Sequence, residues 1–207
     1  MVLLKKSLAI TFAFCIMSLG LFAQNFDLLR TNFNKSLSME KKGDYTNSIK
    51  VIKNIYDENS YEINLRLGWL YYQSGNFAES SVYYSRAVKL MPYSEEAKFG
   101  LVLPKAALGK WDEVKNLYEQ ILKNTPNNTT ANYRIGLIYY GRKDYAKSIK
   151  YFEKVVNLYP FNYDGLLMYA WANFQTGKMR EAKILFNKVL LISPEDKSAL
   201  EGLSLIK

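Results

Sequence analysis

The sequence predicts an all-α protein, an α-solenoid built from stacked antiparallel helix pairs. Its prolines carry the first observation, because four of the five in the chain recur at one fixed interval: Pro92, Pro126, Pro160 and Pro194. A period of this length, roughly 34 residues, is typical of repeats in which each unit is one helical hairpin. Proline also ends a helix, since it cannot donate the next backbone hydrogen bond, so each proline marks the end of a unit.

Other residue types recur with the same period, which is the second observation. One column is apolar, one is mostly small and one is wholly aromatic: Leu67, Leu101, Ile135 and Tyr169; Gly68, Val102, Gly136 and Ala170; Tyr84, Tyr118, Phe152 and Phe186. Within a unit, apolar residues recur at intervals of three or four, as in Leu67, Leu70 and Tyr71. This pattern predicts helices that bury one stripe each.

The first segment of the chain, residues 1–23, has the pattern of a secretory signal peptide. Lys5 and Lys6 precede an apolar run over 7–22, and the small residue Ala23 follows it. This order of basic, apolar and small residues predicts export and cleavage, with an uncleaved membrane anchor as the alternative. We therefore expect the folded part to begin at residue 24.

Residues 24–207 are predicted to form a single repeat array. A degenerate unit comes first, because Gly43 and Tyr45 match the turn and second-helix columns although the interval from Gly43 to Gly75 is slightly shorter than the full period. Each unit of a solenoid contacts its neighbours, so the array is one continuous structure. The predicted order is a degenerate repeat over about 27–60, repeats over 61–94, 95–128, 129–162 and 163–196, and a closing helix over 197–207.

The repeat resembles the tetratricopeptide repeat from about Asp27 to the C terminus. This resemblance implies a right-handed solenoid whose first helices line a concave, protein-binding groove. Alignment with the family places ten residues on the partner-binding surface: Leu65, Arg66, Trp69, Tyr72, Phe99, Tyr133, Arg134, Tyr140, Trp171 and Phe174. Trp69 and Tyr72 are three residues apart, so their rings are expected to point the same way. The alternative is that these aromatic residues only pack between adjacent first helices.

Charge and composition restrict the choice of partner. The chain has 28 lysines and arginines against 19 acidic residues, a formal net charge of +9. The lysines are scattered mainly over the second helices, which is typical of a solvated outer face, and we expect no nucleic-acid partner. Membrane contact is expected only through residues 1–23, if they remain uncleaved. The predicted partner is another protein or a peptide segment.

Reactive side chains are scarce. The chain has no histidine, and its one cysteine, Cys15, lies in the predicted signal peptide. Triads that use histidine, thiol nucleophiles and the usual zinc sites therefore lack their residues. We expect no catalytic site, no cofactor and no metal.

These observations favour a non-enzymatic protein–protein interaction adaptor, exported to the periplasm or cell envelope of a diderm bacterium. Two alternatives stay open. One is a structural scaffold that self-associates, since Leu203, Leu205 and Ile206 give the closing helix an apolar end where terminal repeats are normally polar outside. The other is a carbohydrate-binding component of a polysaccharide-export system, because aromatic rings also stack on sugars.

Overall fold

A computed structural model describes residues 26–206. The predicted signal peptide at 1–23 lies outside the described residues. Between 26 and 206 the chain contains helices and turns and no strand. The helices are α1 (26–40), α2 (Tyr45–Lys53), α3 (Tyr61–Gln73), α4 (Phe77–Leu90), α5 (Glu95–Ala107), α6 (Trp111–Asn124), α7 (Thr129–Gly141), α8 (Tyr145–Leu158), α9 (Tyr163–Gln175), α10 (Met179–Ile192) and α11 (Lys197–Leu205). The all-α prediction is confirmed.

Odd-numbered helices are the first helices of the repeats, and even-numbered helices are the second. Each first helix from α1 to α9 ends in a tight turn with one residue at positive φ: Gly43, Gly75, Gly109, Lys143 and Gly177, with φ of 75°, 78°, 71°, 62° and 78°. Glycine adopts this left-handed conformation without steric cost, whereas Lys143 carries a Cβ there. The turn therefore keeps a left-handed residue in every repeat, although one repeat has lysine and not glycine at this position.

The start of each first helix from α3 onward is capped by a side-chain oxygen. In each case this oxygen accepts the backbone N–H three residues later, and the five caps recur with the same period as the prolines: Ser60, Ser94, Asn128, Asn162 and Asp196. A cap of this kind satisfies a backbone donor that the helix itself leaves free. The caps fix where each first helix begins, and so fix which of its residues face outward.

The described chain divides into two compact units at Met91 and Pro92. In unit 1, residues 26–91, α3 packs against both α2 and α4. Its core comprises Ile52, Ile63, Leu67, Leu70 and Tyr83. This core joins the degenerate first repeat to the first regular one.

In unit 2, residues 92–206, each helix packs against the next one along the chain, and α9 also contacts α7 and α11. The wholly aromatic column supplies the largest core side chains here, because Phe152 and Phe186 are fully buried. Close approach of paired helices depends on small residues: a Cβ added to Gly136 would lie 2.5 Å from Phe152 Cε1. The small column therefore makes room for the aromatic column.

Candidate partner-binding surface

The predicted partner-binding residues of unit 1 lie together on α3. Leu65, Arg66, Trp69 and Tyr72 are all partly buried. The rings of Trp69 and Tyr72 are 6.3 Å apart between centroids, and Tyr72 is 5.5 Å from Phe77 at the start of α4. We call these three rings the aromatic ladder of unit 1.

Polar contacts with α1 hold this face in place. The Trp69 indole Nε1 donates a hydrogen bond of 2.6 Å to Glu40 Oε1, and Arg66 Nη1 forms a 2.5 Å ion pair with Glu40 Oε2. Arg66 also donates through Nε and Nη2 to the hydroxyl of Ser36. The side chain of Arg66 is only 9% exposed. Arg66 is one of the predicted partner-binding residues, and in the structure its charge is paired with the Glu40 carboxylate of the same chain.

The predicted residues of unit 2 lie on α5, α7 and α9. Phe99 on α5 packs against Tyr118 of its own repeat, with 6.1 Å between ring centroids, and Tyr133 on α7 packs 5.9 Å from Phe152. Both side chains are partly buried, whereas Arg134 is exposed. Each of these rings therefore rests on the aromatic column of the core and keeps part of its surface exposed.

Trp171 and Phe174 on α9 form an edge-to-face pair, with centroids 5.5 Å apart and planes at 79°. Trp171 also contacts the buried Phe186 edge-on at 5.1 Å, and its Nε1 donates a 2.9 Å hydrogen bond to the Ser198 hydroxyl on α11. Both Trp171 and Phe174 are partly buried. Trp171 thus combines a packing role with an accessible surface.

Contacts between first helices continue from α7 to α9. Burial raises the pKa of Tyr140; the adjacent Tyr145 raises it further, and a hydrogen bond with Gln175 on α9 acts in the opposite direction. Burial also raises the pKa of Tyr133, with the Asp164 carboxylate of α9 adding to the rise. Within unit 2, α7, α9 and α11 are therefore linked side by side by Tyr140–Gln175 and Trp171–Ser198. We call the face that carries Tyr133, Tyr140, Trp171 and Phe174 the α7–α9–α11 surface.

Sequence reasoning missed the two residues that fix the tryptophans, Glu40 and Ser198. Neither residue type recurs in its column. Aligned on the turn glycines, the counterparts of Glu40 in the next repeats are Tyr72 and Ala106, and the residues one and two periods before Ser198 are Asp164 and Thr130. No spacing rule could have selected them.

Between 26 and 206 no group of three or more histidine, cysteine, aspartate or glutamate side chains is placed to hold a metal ion. In the same range no helix has both the length and the apolar character needed to cross a membrane. On the α7–α9–α11 surface partly exposed aromatic rings lie beside exposed polar residues, namely Arg134, Asp164 and Gln175. Tyr, Trp and Arg are the residue types that most often dominate the energy of protein interfaces.

Helical hairpins that recur at a fixed period, with capped first helices and an aromatic face, define a repeat protein of the protein-interaction class. Family models described as tetratricopeptide repeat match residues 61–94, 129–162 and 163–196. The chain belongs to the tetratricopeptide repeat family, whose members are generally non-enzymatic adaptors. The α-solenoid prediction is likewise confirmed.

Individual proteins show the same fold. A tetratricopeptide repeat protein from Parabacteroides merdae superposes with a TM-score of 0.74 at 20% identity, covering 86% of this chain and 72% of that one. YrrB, described as a tetratricopeptide repeat protein with an unusual peptide-binding site, has a TM-score of 0.69 at 13% identity, covering 84% and 91%. Tetratricopeptide repeat protein 21B of Xenopus laevis is 27% identical over 131 residues, 62% of this chain but 10% of its own length. The chain thus matches only a small part of that relative.

Proposed function

We propose that this chain is a non-enzymatic adaptor that binds a peptide segment of a partner protein on the α7–α9–α11 surface. The observation that carries the proposal is that aromatic side chains on this surface are partly exposed and yet held by internal contacts. Trp171 is fixed by Ser198 and Phe186, and Tyr140 by Gln175 and Tyr145.

Such fixed rings suit binding. An aromatic side chain that is already held loses little conformational entropy when a partner covers it, so more of the buried apolar area contributes to affinity. The peptide-binding site described for YrrB, a protein of the same fold, supports a peptide as the ligand. The aromatic ladder of Trp69, Tyr72 and Phe77 offers a second surface of the same chemistry on unit 1.

A site-specific photocrosslink tests this proposal without removing a structural contact. Arg134 is exposed on α7 and Lys154 is exposed on α8, so a photoreactive phenylalanine analogue at either position leaves the core intact. We expect the analogue at 134 to crosslink one partner protein and the analogue at 154 to give no such product. Equal crosslinking at both positions, or the same product from Lys154 alone, would contradict binding on the first helices.

We further propose that the protein acts in the cell envelope, after export directed by residues 1–23. The order of Lys5, Lys6, the apolar run and Ala23 supports this location. Fractionation of cells and N-terminal sequencing of the purified protein test it. A mature N terminus at Gln24 in the periplasmic fraction is expected, and an intact Met1 in the cytoplasm would rule out export.

Self-association is the second candidate, and the exposed apolar side chains of α11 favour it. Leu200 is 47% and Leu205 is 52% exposed, whereas Leu166, which lies one period before Leu200, is fully buried. Sedimentation velocity over a range of concentrations separates the two candidates. A dimer that a Leu200→Glu, Leu205→Glu variant abolishes would support self-association, and a monomer at all concentrations would exclude it.

A further inference from the structure

Unit 1 also contains a cluster of tyrosines and cations that shares no residue with the aromatic ladder. It comprises Lys53 at the end of α2, Tyr56 in the following loop, Tyr71 on α3, and Tyr83 and Arg86 on α4. Tyr71 and Tyr83 are stacked, with centroids 5.2 Å apart and planes at 3°, and Tyr56 meets Tyr83 edge-on at 5.9 Å. We call it the tyrosine–cation cluster.

Both cations are held against the same two rings. Lys53 Nζ donates a 2.8 Å hydrogen bond to the Tyr83 hydroxyl and lies 4.9 Å from the Tyr56 centroid. Arg86 Nη1 donates a 2.5 Å hydrogen bond to the Tyr56 hydroxyl, and its guanidinium carbon lies 5.5 Å from the Tyr83 centroid. Two positive charges from different helices are therefore brought to one place and oriented by neutral hydroxyl groups.

The corresponding position in unit 2 shows what is unusual about this arrangement. Tyr139 and Tyr151 lie two periods after Tyr71 and Tyr83, and they are stacked in the same way, 5.7 Å apart at 13°. Two lysines again lie next to the stack, but each has a carboxylate of its own: Lys115 is 2.8 Å from Glu119, and Lys147 is 2.7 Å from Asp144. Here the charge is neutralised within the chain.

In unit 1 the cations lack that neutralisation. The ion pairs formed within residues 26–91 are Arg30–Asp27 and Arg66–Glu40, so neither Lys53 nor Arg86 pairs with a carboxylate of this unit. Burial is the main cause that raises the pKa of Tyr71, and the Glu79 carboxylate adds a smaller rise.

Lys53 and Arg86 also have more N–H donors than their hydrogen bonds within unit 1 use. An ammonium has three N–H donors and a guanidinium has five, and within unit 1 each group donates to one tyrosine. Charged donors of this kind form their strongest hydrogen bonds with oxyanions, and the planar guanidinium can bind one through two parallel bonds.

We propose that Lys53 and Arg86 form an oxyanion-binding site on unit 1, which takes a carboxylate or phosphate group. The tyrosine hydroxyls hold the two long side chains in advance, so an anion need not order them when it binds. The site is independent of the α7–α9–α11 surface, and failure of either proposal leaves the other standing.

Titration of the ¹⁵N-labelled protein with two anions tests the site. Sodium phosphate in one arm and sodium acetate in the other are added at pH 7, with sodium chloride adjusted to keep the ionic strength constant. We expect saturable shifts of the Arg86 Nε–Hε signal and of the amides around Lys53 and Arg86, with a dissociation constant on the order of 1 mM. Saturation by phosphate alone assigns a phosphate ligand, and saturation by acetate alone assigns a carboxylate. No saturation in either arm would overturn the proposal.

Matched variants assign the effect to the cluster. Lys53→Met and Arg86→Met keep the apolar stems and remove the charges, so each should weaken binding by about tenfold or more. Lys115→Met removes a lysine already paired with Glu119 and should leave binding unchanged. Arg86→Lys keeps a charge in place and should retain measurable binding even if the methionine variants unfold. Equal weakening by Lys115→Met, or unchanged binding in both methionine variants, would refute the site.

Discussion

The turn between α7 and α8 stores strain that a single substitution should release. Lys143 has a φ of 62°, where Gly75, Gly109 and Gly177 stand in the other three regular repeats with φ of 78°, 71° and 78°. A side chain in the left-handed conformation costs roughly 1–2 kcal/mol, because its Cβ approaches the following carbonyl oxygen. Lys143 is exposed and takes part in none of the ion pairs found between residues 26 and 206. Lys143→Gly should therefore stabilise the protein.

The size of the gain follows from two opposing effects. Glycine removes the left-handed strain, but it also gives the unfolded chain more freedom, which costs about 0.5–1 kcal/mol. The net expectation is a rise of about 0.5–1 kcal/mol in the free energy of unfolding. For a chain of this length that corresponds to a melting temperature higher by about 1–4 °C.

Urea denaturation followed by circular dichroism measures this change, and two control variants isolate its cause. Lys143→Ala removes the charge but keeps a Cβ, so its stability should equal that of the wild type. Gly177→Ala introduces a Cβ at a φ of 78° and should destabilise by about 1 kcal/mol. If Lys143→Ala stabilised as much as Lys143→Gly, the lysine charge and not the backbone would be responsible. Unchanged stability of Lys143→Gly would refute the strain argument.

Three further predictions concern packing and can be measured by the same denaturation assay. Phe152→Ala should cost about 3–5 kcal/mol because Phe152 is fully buried, and a near-neutral result would contradict its core position. Gly136→Ala should cost about 1–3 kcal/mol, since its Cβ would lie 2.5 Å from Phe152; wild-type stability would show that the ring can move away. Glu40→Gln keeps an acceptor for Trp69 but leaves the largely buried Arg66 without its counter-charge, so a loss of about 1–3 kcal/mol is expected, and no loss would mean that the pair contributes nothing.

Much of the fold could be predicted from the sequence, because the repeat period is a property of local structure. Prolines and aromatic residues recur at the same positions of each regular hairpin, and glycine does so in all but one, so one period predicts all the helices from 61 onward. The cap column of Ser60, Ser94, Asn128, Asn162 and Asp196 carries the same information, since these are the residue types that cap helices. These caps alone could have located the start of each first helix, without the prolines.

The surface could be predicted only in part. Repeat register places Trp69 and Trp171 on first helices, but it says nothing about contacts that occur once. Glu40 lies 29 residues before Trp69, and Ser198 lies 27 residues after Trp171, so the two hydrogen bonds share neither their spacing nor the type of the acceptor residue. The tyrosine–cation cluster was missed for the same reason: the stacked tyrosines recur, but the charges around them differ between the units.

The two proposed sites differ in the physical basis of their affinity, and salt should separate them. On the α7–α9–α11 surface the Trp171 indole N–H is used internally by Ser198, so the ring faces that remain offer apolar contact. Apolar burial changes little with ionic strength, whereas attraction between exposed charges is screened at about 10 Å in roughly 0.1 M salt. Peptide binding should therefore be nearly unchanged between about 50 mM and about 500 mM sodium chloride, a range that follows from this screening length. Anion binding by Lys53 and Arg86 should weaken severalfold over the same range. A peptide whose affinity fell in parallel with that of phosphate would be bound by charge, and the aromatic surface would then not be its site.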